Sequence, residues 1–450
     1  MSASLPRTLI KAGLIVTMDG TRRILPGGAV VVSGSTIDSV LTAPEAAAMP
    51  PFEGIVLNAP SLTVIPGFIQ THIHLCQTLF RGLADDLELL DWLRLKIYPY
   101  EAAHNASSMR ASALSGIAEL IRSGTTTIMD MGSVAHEEEI ARAVDETGLR
   151  SFIGKAMMDT NDVYPALREP TEESLRTTLR QAEQWHGKGE GRIRYAVAPR
   201  FVLSCSDTLL KEAHAMTASF PGMLFHTHAA ENRREMDAVR MRCGADNIEF
   251  FERLGILRAN TCLAHCIWIS ENEIALLKER EARVLHCPTS NLKLGSGIAR
   301  IPDLLARGIS VSLGADGAPC NNSLDMFQEM RQAALVQKPI HGPAAMSAAT
   351  VFELATRGGA AALGIDRETG SLEAGKKADL ALLDLGRCWN PADESHPYAA
   401  IVYSASPENV RYVMINGAWV YRDGVHTTLR AGAVGETAKK ELKLLLNRVH

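Results

Sequence analysis

The stretch Val64-Ile65-Pro66-Gly67-Phe68-Ile69-Gln70-Thr71-His72-Ile73-His74 decides how the rest of the chain is read. An apolar run of β-type residues ends in two imidazoles spaced two apart. Residues i and i+2 of an extended strand point to the same face, so His72 and His74 can grip one ion from one side. Imidazole suits zinc, iron and nickel. The spacing alone is weak, because the chain holds 14 histidines and a second pair stands at His226 and His228. Such pairs also serve as polar surface or as satisfied core residues. What lies further along the chain separates these uses.

Seven more runs of strand character follow, at 125–132, 150–159, 192–200, 223–231, 261–266, 283–288 and 309–317. Helix-period segments lie between most of them, for example at 109–123 and 324–337. Eight β/α alternations in about 300 residues predict an α/β fold of the (β/α)8 barrel type. Such barrels carry their active sites at the C-terminal ends of the strands. The predicted strand ends hold His72 and His74, Asp130, Asp159, Arg200, His228 with Glu231, His265, His286 and Asp316. Metal ligands and acid–base groups therefore crowd one predicted rim.

The flanks read differently. Residues 8–63 are short β-type runs joined by Gly-rich turns. Residues 366–450 return to β character, with a hairpin signal at Asn416-Gly417 and an amphipathic helix over roughly 433–448. No low-complexity linker separates the stretches. The expected organisation is a barrel over 64–365, with 1–63 and 366–450 pairing into one small sheet domain beside it.

Composition narrows the class. The 450 residues are 46% hydrophobic and 22% charged with net charge −5, ordinary for a globular enzyme. No basic block supports nucleic-acid binding. No apolar run is long enough for a transmembrane helix, and no apolar leader is present. The eight cysteines are scattered, which fits free thiols in a reducing cytoplasm. Cys262 and Cys266 flank a predicted buried strand and read as small apolar residues.

Chemistry assigns roles along the rim. Three neutral imidazoles and a carboxylate, from His72, His74, His228 and Asp316, make a site for one divalent ion, Zn²⁺ or Fe²⁺. With room for one water, such an ion lowers that water's pKa toward neutrality. Glu231, three residues past His228, is placed to move protons. His265 is a candidate for stabilising the reacting centre. His286 and His226 rank below these, the latter because the strand can curve before reaching the ion.

Together these segments resemble the amidohydrolase superfamily. They are Pro66–His74, His226-Thr227-His228-Ala229-Ala230-Glu231, Leu263-Ala264-His265-Cys266, His286–Leu294, Leu313-Gly314-Ala315-Asp316-Gly317 and Gly370–Leu380. The resemblance is to the branch of mononuclear metal-dependent deaminases and chlorohydrolases. It implies a distorted (β/α)8 TIM barrel with a small β-sandwich built from both termini. It implies His72, His74, His228 and Asp316 as ligands of one metal ion, zinc or iron, with Glu231 and His265 catalytic. A small-molecule purine or related heterocycle is the expected partner, in a homo-oligomer, with neither nucleic acid nor membrane.

Within the branch, His74–Leu93 followed by Tyr98-Pro99-Tyr100-Glu101 looks like the 5′-deoxyadenosine, methylthioadenosine and S-adenosylhomocysteine deaminases. There the glutamate at the Glu101 position holds the ribose hydroxyls, as a carboxylate can. Gly154-Lys155-Ala156-Met157-Met158-Asp159 and Pro199-Arg200-Phe201 look instead like guanine deaminases, in which the arginine contacts the purine. Arg200 could equally pair with a neighbouring carboxylate. Gln77 either hydrogen-bonds the heterocycle or caps a turn. Guanine and s-triazines stay open as alternative substrates.

Overall fold

The computed structural model describes residues 6–388 and 396–449. Eight parallel strands succeed one another: β1 (Phe68–His74), β2 (Thr125–Asp130), β3 (Arg150–Ile153), β4 (Ile193–Pro199), β5 (Leu224–Ala229), β6 (Thr261–His265), β7 (Arg283–His286) and β8 (Val311–Leu313). Each pairs with its predecessor, and helices cross over between most of them. The sheet curls until Asp316-Gly317, just beyond β8, pairs in parallel with Ile73-His74 of β1. Thr71 of β1 also meets Ser312 of β8, with 2.7 Å between the hydroxyls. This is the curled parallel sheet that the β/α alternation predicts.

Strand parity explains how it fills. Ile69, Met129, Phe152, Ala196, Leu224, Cys262 and Leu285 contribute one residue from each of β1 to β7 to a single buried cluster. Ala360, Ala362, Leu363 and Ile365 pack into the same cluster. Residues of opposite parity, such as Phe68, Ile128, Val197, Phe225, Leu263 and Val284, pack into the larger core that includes the surrounding helices. The helices predicted at 109–123 and 324–337 are Ala106–Arg122 and Met326–His341. The former is N-capped by Asn105, whose side chain accepts from the Ser108 amide.

The predicted strand 64–74 is divided. Ile55–Pro66 belongs to another sheet, and β1 begins only after Gly67. That second sheet draws on both ends of the chain. Ile55–Pro66 lies between Thr8–Val16, to which it is parallel, and Leu380–Leu383, to which it is antiparallel. Val410–Ile415 and Ala418–Arg422 extend it as a hairpin. Its turn residues, Asn416 and Gly417, have φ of 51° and 79°, the left-handed pair that a two-residue turn needs. Hydrogen bonding makes this one continuous nine-stranded sheet. The terminal helix runs over Ala431–Leu446. All eight cysteines are free, and no helix among the described residues is long and apolar enough to cross a membrane.

A buried ion pair ties the two sheets together at the end of the curled sheet away from the strand C-termini. Arg150, the first residue of β3, donates to Asp379 at 2.5 and 3.2 Å, and the Asn416 amide donates to the same carboxylate at 2.7 Å. Both side chains are buried. Removing one partner leaves an uncompensated buried charge. Arg150→Met is therefore expected to lower unfolding stability by about 3–5 kcal/mol. Denaturant unfolding checks this, and an unchanged midpoint would show that the pair contributes nothing.

Candidate active site

His72 and His74 stand at the end of β1, and His226 and His228 face them from β5. Asp316 enters beside β1 on the segment that follows β8. A tight backbone approach brings it there: a Cβ on Gly314 would lie 2.6–2.7 Å from the backbone of His72. Asp316 itself has φ +62°, and His265 has φ +75°. Left-handed backbone at a residue other than glycine costs about 1–3 kcal/mol and persists only where surrounding structure imposes it.

One nitrogen each from His72, His74 and His228 and one oxygen from Asp316 lie within 4.8 Å of one another. The Nε2 atoms of His74 and His228 are 3.2 Å apart. Asp316 Oδ1 is 3.4 Å from His72 Nε2 and 3.3 Å from His74 Nε2. Ligand atoms about 2.0–2.2 Å from a tetrahedral zinc stand about 3.3–3.6 Å apart, so this donor set fits a divalent ion. The tautomers agree. His74 Nδ1 donates to the Met131 carbonyl at 2.7 Å and His228 Nδ1 to the Arg200 carbonyl at 2.6 Å. Each leaves its Nε2 lone pair on the shared point. His72 Nε2 has no hydrogen-bond partner among the described residues.

Burial sets the charge states. It disfavours the imidazolium form, so His74 falls to about 3, and His72 and His228 also drop below the usual histidine value. Burial pushes Asp316 upward, but the imidazoles of His72, His74 and His265 outweigh it and hold the carboxylate well below its ordinary range. Neutral imidazoles beside an ionised carboxylate are the forms that bind metal.

Glu231 follows β5, and its backbone amide donates to Glu235 at 2.8 Å. Burial raises its carboxyl well above the ordinary range, the Asp316 and Glu235 charges add to this, and Arg200 opposes it. Glu231 Oε2 lies 3.3 Å from His265 Nε2. His265 Nδ1 pairs with Asn291 Oδ1 at 2.9 Å, which turns Nε2 toward Glu231 and Asp316.

The predicted substrate contacts form a network of their own. Arg200 donates to both oxygens of Glu101, at 2.6 and 3.1 Å, and Gln77 Nε2 donates to Glu101 Oε1 at 2.9 Å. The Arg200 guanidinium also lies over the Tyr98 ring, 5.2 Å from its centroid. Glu101 thus accepts three hydrogen bonds, while Arg200 and Gln77 line a small cavity with His74, His228, Glu231 and Asp316. Leu89, Trp92, Leu93 and Phe201 supply its apolar wall. Leu89–Trp92 is one helical turn, running into a π-turn at Leu93–Ile97.

Several side chains fall elsewhere. His286 is buried, with neither ring nitrogen partnered among the described residues, and is outside the ligand group. Asp159 accepts from Ser206 and Thr171, and Asp130 accepts the Leu75 amide. Lys155 is buried against Glu169. Sequence reasoning did not foresee Asn291 as the partner of His265. Its only signal is its place in the His286–Leu294 motif.

The chain is similar to several known proteins over most of its length. A 5′-deoxyadenosine deaminase of Methanothermobacter thermautotrophicus is 41% identical over 385 residues, 85% of this chain and 88% of that protein. A 5-methylthioadenosine/S-adenosylhomocysteine deaminase of Moorella thermoacetica is 37% identical over 390 residues, covering 86% and 88%. The crystal structure of an adenosine deaminase from Xanthomonas campestris with bound zinc superposes with a TM-score of 0.91 at 29% identity, covering 98% of each chain. The family model described as "Amidohydrolase family" matches residues 63–420, so the chain belongs to the amidohydrolase family.

Proposed function

We propose that this chain is a metal-dependent aminohydrolase of adenine-type nucleosides: 5′-deoxyadenosine, methylthioadenosine or S-adenosylhomocysteine. The observation that carries the reading is the convergence of three Nε2 atoms and the Asp316 carboxylate beside a buried Glu231 in one cavity. The deaminase relatives support the substrate class. The same reading takes the curled sheet as a distorted (β/α)8 barrel, supported by the pairing of Asp316-Gly317 with β1. It takes the terminal strands as a small β-sandwich, supported by a buried apolar cluster of Ile10, Val30, Val64, Leu380 and Met414 drawn from both chain ends.

His72, His74, His228 and Asp316 hold the ion, with zinc favoured by the nitrogen-rich donor set. When bound, the ion supplies Lewis acidity that brings a water toward deprotonation near neutral pH. The residues supply the rest. Glu231 takes a proton from the attacking water and delivers it to the ring nitrogen next to C6, then takes the proton of the new C6–OH and delivers it to the departing amine. His265, held by Asn291, faces the tetrahedral carbon's new oxygen and restrains it. A C6–O bond forms, the C6–N bond breaks, and the products are the inosine-type nucleoside and ammonia. Arg200 and Gln77 hold the purine from the opposite side, while Leu89, Trp92, Leu93 and Phe201 exclude water. Because Arg200 already occupies Glu101, ribose hydroxyls reach that carboxylate only by sharing it with the guanidinium.

Ammonia release from a panel tests the substrate: 5′-deoxyadenosine, methylthioadenosine, S-adenosylhomocysteine, adenosine, guanine, 8-oxoguanine and triazines. Good turnover of guanine with none of any adenine nucleoside would overturn the reading. Asp316→Ala is expected to lose metal and activity together, and metal analysis of the purified variant is the check. Glu231→Gln should keep its metal while kcat falls by about 10²–10⁴; near-normal turnover would place proton transfer elsewhere. Glu101→Gln and Arg200→Gln should be non-additive in kcat/KM, with a coupling of about 0.5–3 kcal/mol. Additive losses would mean that the two residues meet substrate independently.

A further inference from the structure

Each imidazole in the proposed ligand group needs its Nδ1 proton placed so that Nε2 is free. For His74 and His228 the acceptor is a backbone carbonyl. His72 has no such carbonyl. Its Nδ1 lies 2.8 Å from Nε2 of His226, a second imidazole set nearly perpendicular to it, with ring centroids 4.9 Å apart at 89°. Both rings are fully buried.

Only one proton arrangement lets His72 act as a ligand. If His226 Nε2–H donated to His72 Nδ1, the His72 proton would sit on Nε2 and block it. The working arrangement has His72 Nδ1–H donating to an unprotonated His226 Nε2. The His226 proton then rests on Nδ1, which has no partner among the described residues. The contact to His72 is the one hydrogen bond this ring makes among the described residues.

We infer that His226 is a positioning residue that fixes the tautomer and ring orientation of His72, acting on the ion only through it. The inference rests on the ligand set proposed above. Strand parity produces the arrangement: His226 and His228 share one face of β5, and the lower of the two meets the lower of the β1 pair. Partners of this kind typically change metal affinity by 10–100-fold when removed.

The test compares zinc-loaded full-length proteins titrated with a chelator of known affinity. Glutamine carries a carbonyl oxygen at about the reach of His Nε2, asparagine carries the same amide one methylene shorter, and leucine has no acceptor. His226→Gln is expected to hold zinc within about threefold of wild type, and His226→Leu and His226→Asn 10–100-fold more weakly. Cobalt-substituted protein supplies a second readout: the visible bands of His226→Gln should match wild type, and those of His226→Asn should shift. Wild-type affinity in His226→Leu, or equal losses in Gln and Asn, would overturn the inference. If His226→Leu does not fold, the Gln and Asn pair decides alone. A wild-type chain that binds no stoichiometric zinc would instead remove the ligand set itself.

Discussion

The parallel pairing of Asp316-Gly317 with Ile73-His74 is the contact on which the rest of the site depends. It joins the first strand of the curled sheet to the segment beyond the last, and so puts the only carboxylate of the candidate ligand group against imidazoles more than 240 positions earlier. Once there, burial does the electrostatic work. It lowers the proton affinity of His74 and His228 and raises that of Glu231, while Asp316 is held well below the ordinary carboxylate range. Two carboxylates in one cavity are thus shifted in opposite directions because their neighbours differ, the pattern that lets a site run acid and base steps at one pH. The backbone bears the cost in the left-handed residues at His265 and Asp316.

Much of this was legible in the sequence for definite reasons. Strand parity placed His72 with His74 and His226 with His228 on common faces. The rule that barrel sites lie at strand C-termini collected Glu231, His265 and Asp316 from distant segments. The β/α alternation gave the order of the parallel strands, and Asn416-Gly417 gave a hairpin. The division at Gly67 was not legible, because Val64 to His74 is one apolar run whose two halves differ only in the sheet they join.

What stayed hidden depends on contacts between segments. Parity says that His226 faces inward but not that its neighbour is His72 Nδ1, since strand curvature sets that distance. Glu101 and Arg200 were each read as substrate contacts, with a pairing of Arg200 to a neighbouring carboxylate left open, and nothing in their separate motifs reveals that Glu101 is that carboxylate, 2.6 Å away. A buried arginine with two charge-assisted bonds to one carboxylate is a rigid unit. The two side chains, with Gln77 attached, therefore move as one group rather than as two independent ones.

The terminal sheet carries a consequence for how the chain is made. Ile55–Pro66 gains its neighbour Thr8–Val16 at once, but its other edge waits for Leu380–Leu383. At about 5–20 residues per second, translation takes roughly 15–60 s to cross that interval. For that time the nascent chain presents an unpaired strand edge that includes buried residues Val64 and Ile65, the kind of edge that recruits other chains. Expression yield should therefore respond to the speed of translation and to chaperone supply before it responds to anything at the metal site.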